Sequence, residues 1–418
     1  MESIALFSNK KQRVIFYGGL LIVFCFNLLF LYYQFKDFKK NEIFQTDAIV
    51  LNIYKKDSYN VVKLQSDDKI YFTSISKDIK IDKLDGVNIL LDTRKIDFLS
   101  YLKGFYLKNI EIFIYKQKDS VKKDIYNYIK SQHKNSSISS IYEALFLSIS
   151  VDKDLRQLFS NYGISHLIAI SGFHLGLILS VIYFIVINAY KPIHQKYFPY
   201  RNKKSDVLVF SSIILYWYLL LIDIPPSFLR AFIMFVFGFI LLRDNIKILN
   251  FETLFIVSSI IMAFFPKLIF SLSLWLSIAG VFYIFIFIKY SQKLNKYIRF
   301  VLFNFWIFFA MFPIVHYFFY NFAYEQLLSP IISMLFIIFY PISFLIHIIG
   351  IGDIFDNLLS LCINYNFNIV EIKTQLWFLI IYLLVSFGSI FSKIFFVTLN
   401  ILIFCFSMYK IYYSVIVN

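Results

Sequence analysis

Ten apolar runs recur along the chain, at 14–33, 164–190, 207–222, 227–242, 250–265, 268–288, 300–320, 327–349, 375–392 and 394–413. Each reaches or approaches the ~20 residues that a helix needs to cross a ~30 Å hydrocarbon layer, and the shorter ones can cross with snorkelling ends. The pattern predicts an α-helical polytopic membrane protein with about ten transmembrane helices. One interval interrupts it. Ile110, Ile112 and Ile114 alternate with Asn109, Glu111 and Phe113, and β-branched stretches at 47–53 and 59–65 are bounded by turn residues. Asp85-Gly86 is a hairpin-type turn signal. About five short strands here suit a small OB-like β-barrel inserted after the first helix, with a helical connector near 119–134. Residues 138–163, carrying Ile141, Leu145, Leu155 and Phe159, read as an amphipathic segment at the membrane surface. Four parts follow: 1–35 with the first helix, 36–137 with the β-rich insert, 138–163 at the interface, and 164–418 as the helical membrane domain. Pro330 and Pro341 leave room for a broken or re-entrant element within 327–374.

Charge orients these elements. With the N-terminus in the cytoplasm, sixteen Lys and Arg between Lys10 and Lys410 fall inside, among them Arg243, Lys247, Lys373 and Lys410, while the short opposite loops hold only Lys267 and Lys393. That asymmetry places the β-rich insert outside the cytoplasm. Run 14–33 is too long for a signal-peptide core and lacks a small-residue cleavage site, so it reads as a first span or signal anchor. From Lys36 to Lys134 there are 20 Lys/Arg against 14 Asp/Glu, a surplus that suits a solvated surface or weak attraction to phosphate. With 59% hydrophobic residues and a mean hydropathy of +0.68, a soluble enzyme is excluded. Cys25, Cys362 and Cys405 offer no disulfide framework and read as core packing.

The polar residues of the second run are the candidate chemistry. Gly172, Gly176 and Ser180 fall four apart, a small-residue stripe that lets another helix approach. On one helix His166 and His174 share a flank with Ser171, but their spacing of eight is not that of a metal-binding pair. They offer either interhelical hydrogen bonds or a polar wall. Pro225 and Pro226 break the chain before another span, Ser227 is placed to cap it, and Arg230 sits in its first turn. Arg230 there either snorkels to the interface or contacts phosphate. No Gly-Lys dipeptide exists for a phosphate-binding loop, and the six histidines form no metal motif, so no cofactor and no metal are expected.

The run GISHLIAISGFHLGLI, residues 163–178, resembles the signature of the ComEC family of competence DNA-uptake channels, close to G-x-x-H-L-x-A-I-S-G-x-H-x-G. PPSFLRAFIM (225–234), SLSLWLSIAGVFYI (271–284) and DFLSYLKGFYLKNIEI (97–112) are similar to further segments of that family, in the same order. The resemblance implies a channel in the bacterial inner membrane that passes single-stranded DNA during natural transformation, without enzymatic activity. His166, Ser171, His174 and Arg230 would line or shape its path. It also implies partners: a periplasmic DNA receptor or uptake pilus, and a cytoplasmic helicase-like motor or single-strand-binding proteins. Many family members end in a metallo-β-lactamase-like domain, whereas this chain ends after its last helix, so degradation of the other strand would fall to another protein. Ser271 stands where the family has Gln, and the insert has no cysteine pair. Two rivals are an intramembrane hydrolase or transferase using His166, Ser171 and His174, and a small-solute transporter.

Overall fold

The computed structural model describes residues 9–40, 42–66, 69–79, 81–115, 120–243 and 251–417; Lys247 lies outside them. Helix α1 (Lys10–Lys40) leads into a sheet built from β1 (Ile43–Lys55), β2 (Asn60–Ser66), β3 (Lys69–Ile75) and β4 (Gly86–Asp92). Helix α2 (Phe98–Lys103) then precedes β5 (Phe105–Tyr106) and β6 (Lys108–Tyr115). The sheet order is β5-β3-β2-β1-β4-β6. Only Leu107 separates β5 from β6, so one continuous stretch closes both edges: β5 pairs parallel with β3 and β6 antiparallel with β4. The sheet therefore curls on itself around Val50, Val62, Leu64, Val87, Ile89 and Leu91, all buried. Asp85-Gly86 is not a two-residue hairpin. β4 pairs with β1 rather than β3, and the chain turns through Leu84 at φ 65°.

α1 does not stop at the membrane surface. Phe35 and Phe38 continue its face into the sheet core, with Phe38 meeting Phe44 at 4.7 Å and Phe35 meeting Tyr101 at 5.5 Å between ring centroids. Burying two such rings fixes helix and sheet to one another.

A helical connector follows: α3 (Val121–Ser131), α4 (Ser136–Leu147), α5 (Lys153–Asn161) and the single turn α6 (Ser165–Ile168). α4 is not an amphipathic layer on lipid. Nine of its twelve residues are buried, because α3 and later helices cover its polar side as well as its apolar one. Burial holds the Glu143 carboxyl above its usual range, offset by a 2.7 Å bond from the Ser139 hydroxyl.

The membrane part contains α7 (Gly172–Tyr197), α8 (Lys203–Leu221), α9 (Pro226–Arg243), α10 (Phe251–Phe264), α11 (Leu272–Tyr290), α12 (Lys296–Phe318) and α13 (Ser329–Ile349). α14 (Asp356–Ile363), α15 (Leu376–Gly388) and α16 (Lys393–Val417) complete it, with β7 (Asn321–Phe322) and β8 (Val370–Glu371) forming a small antiparallel pair. Among the described residues seven helices are long and apolar enough to cross a membrane, and three shorter apolar ones begin at Pro226, Phe251 and Leu376. Nine of the ten apolar runs thus carry one α-helix, and the run 164–190 carries two. Cys25, Cys362 and Cys405 are exposed, so none of them packs in a core.

Contacts fix which helix ends lie together. The turns at 222–224 and 266–270 face the curled sheet and its connector, through the Lys122–Asp223 ion pair and through Lys267 over the Tyr101 ring and Lys103 over the Phe270 ring. At the opposite end, Tyr290 donates to the Ser389 carbonyl at 2.8 Å and Lys289 to that of Ile390. This corrects three charges. Lys393 begins α16 at the basic end with Lys289. Lys373 lies at the sheet end, beside Tyr317 and Tyr320, and Lys410 is buried there, donating to the Ile372 carbonyl.

α13 has both ends at the sheet end. Ser329 Oγ donates to the Gly163 carbonyl at 2.8 Å, while Gln132 Nε2 donates to the carbonyl of His347 at 3.1 Å. α13 is one continuous helix despite Pro341 within it, and Pro330 falls in its first turn, where a missing N–H costs nothing. The broken element lies elsewhere, in the second apolar run.

Candidate functional site

The run 164–190 does not form one helix. α6 ends at Ile168, residues Ala169, Ile170 and Ser171 are non-helical, and α7 begins at Gly172. A break inside an apolar bundle must find partners for the backbone groups it frees, and the motif supplies them locally. Ser171 is the N-cap of α7: its Oγ accepts from Phe173 N–H at 3.3 Å, and His174 Nδ1 accepts from Ser171 N–H at 3.3 Å. A histidine thus closes a capping box in which Glu or Gln is usual.

Ser227, expected to cap α9, does something else. α9 starts at Pro226, and the Ser227 hydroxyl donates to the carbonyl of Ile170 in the break. The turn before α9 holds two non-glycine residues in the left-handed region, Asp223 (φ 59°) and Ile224 (φ 50°). For the β-branched Ile224 that conformation costs roughly 1–3 kcal/mol. The Lys122–Asp223 ion pair and the Pro225-Pro226 pair hold the turn there and present Ser227 to the break.

Of the small-residue stripe, only Gly172 makes a close approach: a Cβ there would stand 3.1 Å from the Ala231 Cβ of α9. Gly176 has open space at the corresponding position, and Ser180 Oγ bonds back to the Gly176 carbonyl at 2.7 Å. His166 and His174 are parted by the break and share no helical flank. His174 is fully buried, with the edges of Phe336 and Tyr340 of α13 against it at 5.4 and 4.9 Å. His166 is exposed, and its Nε2 lies 3.4 Å from Ser333 Oγ of α13. α13 thus touches both histidines from one side while α9 holds the break from the other.

Among the described residues, the buried atoms without a hydrogen-bond partner at this site include one on His174 and two on Arg230. Because His174 Nδ1 accepts from Ser171 N–H, a neutral ring carries its proton on Nε2, and that atom has no hydrogen-bond partner. Arg230 is 4% exposed, and its Nε and Nη1 are likewise unpaired. It does not snorkel to solvent. A buried guanidinium with unmade hydrogen bonds is costly, and such a group is kept where it meets something polar in use. Ser171 Oγ lies 3.3 Å from His174 Nδ1, but that nitrogen already accepts a backbone proton, and no carboxylate orients the ring among the described residues. The arrangement offers hydrogen-bond donors and a cation beside the helix break, not a nucleophile with its base.

Sequence reasoning passed over Gln326, Ser329 and Ser333. Gln326 Nε2 donates to the Ser160 carbonyl at 3.0 Å and Ser329 to that of Gly163, so the start of α13 anchors the loop before the break. Gly163 sits at φ 69° with Gln326 and Ser329 Cβ atoms 3.3 Å from where its own Cβ would be. Ser-Pro at 329–330 was the available signal, a helix start beginning with two residues suited to it.

A bundle of apolar helices with a discontinuous helix and unpaired polar groups at its sheet end marks a polytopic membrane protein. A family model described as Competence protein matches residues 148–409, more than half of the chain. The chain belongs to that family, the ComEC-type competence proteins, and its role lies in DNA uptake during competence. No curated protein and no solved structure matches it. The matched region contains the break, α9 and α13, while the curled sheet lies before it.

Proposed function

We propose that the protein conducts one strand of DNA across the bacterial inner membrane, entering where α6, α7, α9 and α13 meet. The observation that carries this reading is the break at 169–171, where the exposed His166, the unpaired His174 Nε2 and the unpaired, buried Arg230 stand on segments held to one another through Ser227, Ser333 and Gly172. A polyanion crosses hydrocarbon only along a wet path lined by protein polar groups. Donors and one cation suit phosphodiesters, and a wall that binds each phosphate weakly lets the strand move on.

In this reading the N-terminus and the Lys-rich end face the cytoplasm, and the curled sheet is an OB-like barrel on the outer side. Nine of the ten apolar helices cross, and α13, with both ends at the sheet end, does not. A periplasmic receptor or pilus delivers the strand, and a cytoplasmic helicase-like motor or single-strand-binding proteins draw it in. The native Cys362 on α14 tests the orientation. In a Cys25→Ser, Cys405→Ser background it should react with a membrane-impermeant maleimide added outside intact spheroplasts; reaction only after lysis would reverse the arrangement. Conduction itself is tested by following fluorescent DNA in a deletion strain. DNA should reach the periplasm and stop there, and entry should return with the wild-type chain. Normal entry into the cytoplasm without the protein would refute the channel.

A further inference from the structure

A second polar cluster lies outside the break, where α3 meets the far end of α13. His133, just after α3, places Nδ1 2.9 and 3.1 Å from the two carboxyl oxygens of Asp356 at the start of α14. Its Nε2 lies 3.0 Å from Nε2 of His347 near the end of α13, and His347 Nδ1 lies 2.6 Å from the Ser343 carbonyl. The rings are sealed. The His133 side chain has no exposure, Tyr142 of α4 stacks on it at 4.8 Å and 9°, and Phe146 sets its edge against His347 at 5.1 Å. These are the groups that face the cluster; the nearest charged residues in the chain, Lys134 and Asp353, are exposed. Burial, with Asp356 nearby, holds the Tyr142 hydroxyl well above the usual phenol range, so it stays protonated.

Proton counting defines the state of this series. Three hydrogen bonds run from Ser343 to Asp356, and each needs one proton. The Ser343 carbonyl only accepts, so His347 carries a proton on Nδ1. A second lies between the two Nε2 atoms, and a third between His133 Nδ1 and the carboxyl group. Two neutral histidines and an ionised aspartate hold only two. The closed series therefore contains one extra proton, and its net charge is zero. Remove that proton and either two bare nitrogens face each other at 3.0 Å or a bare nitrogen faces the carboxylate. Add another and either two N–H groups collide or the carboxyl group loses the charge that strengthens its bond to His133.

The geometry points to a proton-operated latch: Asp356, His133 and His347 hold α3 to the end of α13 only while the three groups share three protons. Gln132 reinforces the join, donating to the His347 carbonyl and accepting from Gly352 N–H at 2.8 Å, so the backbone amides of 350–356 report on it. α3 also carries the sheet, through Lys123–Asp85 and Lys130–Asp82 at 2.9 Å each. Releasing the latch loosens α3, and the sheet it carries, from the far end of α13, the helix whose middle packs on His174.

The test is hydrogen exchange of the full chain in lipid nanodiscs, from about pH 5 to about pH 8, where histidines change charge, with rates corrected for intrinsic pH dependence. Segments 128–133 and 347–356 should be best protected at an intermediate pH and lose roughly tenfold on either side, the effect of one charge-assisted bond, while α12 stays constant. In Asp356→Asn the amide N–H donates to His133 Nδ1, and two neutral rings then complete the series with no extra proton. Protection should therefore fall only on the acid side, about tenfold, and persist as the pH rises. A flat profile in the wild type, or an alkaline loss that survives in Asp356→Asn, would overturn the latch. Loss of protection on adding EDTA would assign the imidazoles to a metal ion instead, and would overturn it too. Where Asp356→Asn does not fold, the wild-type profile with and without EDTA decides.

Discussion

Arg230→Gln is expected to lower DNA entry into the cytoplasm by about ten- to a hundredfold, with normal amounts of protein in the membrane and normal DNA in the periplasm. The estimate follows from the state of the side chain. Its Nε and Nη1 make no hydrogen bond in the protein, so the substitution breaks no internal bond there, and the fold loses little. A charge-assisted bond to a passing phosphate contributes roughly 1.5–3 kcal/mol, the equivalent of that fold-change. Gln keeps length and some donors but not the charge. Entry should therefore recover partly in Arg230→Lys and not in Arg230→Gln. Unchanged entry with Arg230→Gln would return Arg230 to a packing role and remove the cation from the proposed path.

Gly172→Val should have the largest structural effect. A Cβ at Gly172 meets the Ala231 Cβ at 3.1 Å, and two further methyl groups have nowhere to go without pushing α9 from α7. That displacement also pulls Ser227 from the Ile170 carbonyl and leaves a buried acceptor unmet. Overpacking of about 1–3 kcal/mol and an unmade bond of similar size together approach the stability of a marginal membrane domain. The expected result is sharply lowered protein in the membrane and no DNA entry. Gly176→Ala is the control, because its Cβ would stand in open space; it should be tolerated. Loss of the protein from both variants would mean that the whole stripe packs, contrary to the structure.

The helices were legible because lipid imposes a demand on composition that any 20-residue window reveals. Position within the bundle was not, because it depends on contacts distant in sequence. The break at 169–171 hid inside an unbroken apolar run: Ile170 and Ile168 keep the hydropathy high while Ser171 and His174 satisfy the backbone. Ser171-x-x-His174 has the form of a capping box, and that form was the visible sign of a helix start. α4 misled in the opposite way. Its apolar face suggested lipid, but α3 and α13, the second some 200 residues away, cover it. Lys410 counted as a loop charge until the Ile372 carbonyl was seen to take it inside. His133 and His347 are 214 residues apart, so no spacing rule joins them. Ser227 shows a subtler limit: the residue type suited a cap, yet its hydroxyl was spent on a neighbouring chain.

The continuity of α1 into the sheet has a mechanical meaning. Thirty-one helical residues form a rod about 46 Å long. Phe35 and Phe38 clamp one end into the β core, while near the other end Arg13 pairs with Glu252 of α10 at 2.9 Å, and Asn27 holds the Ala263 carbonyl on the way. A load applied to the sheet by whatever docks there does not dissipate in a slack tether. It is shared between the rod, which carries it to α10, and the turn at 266–270, where Lys267 and Lys103 sit over rings across the join.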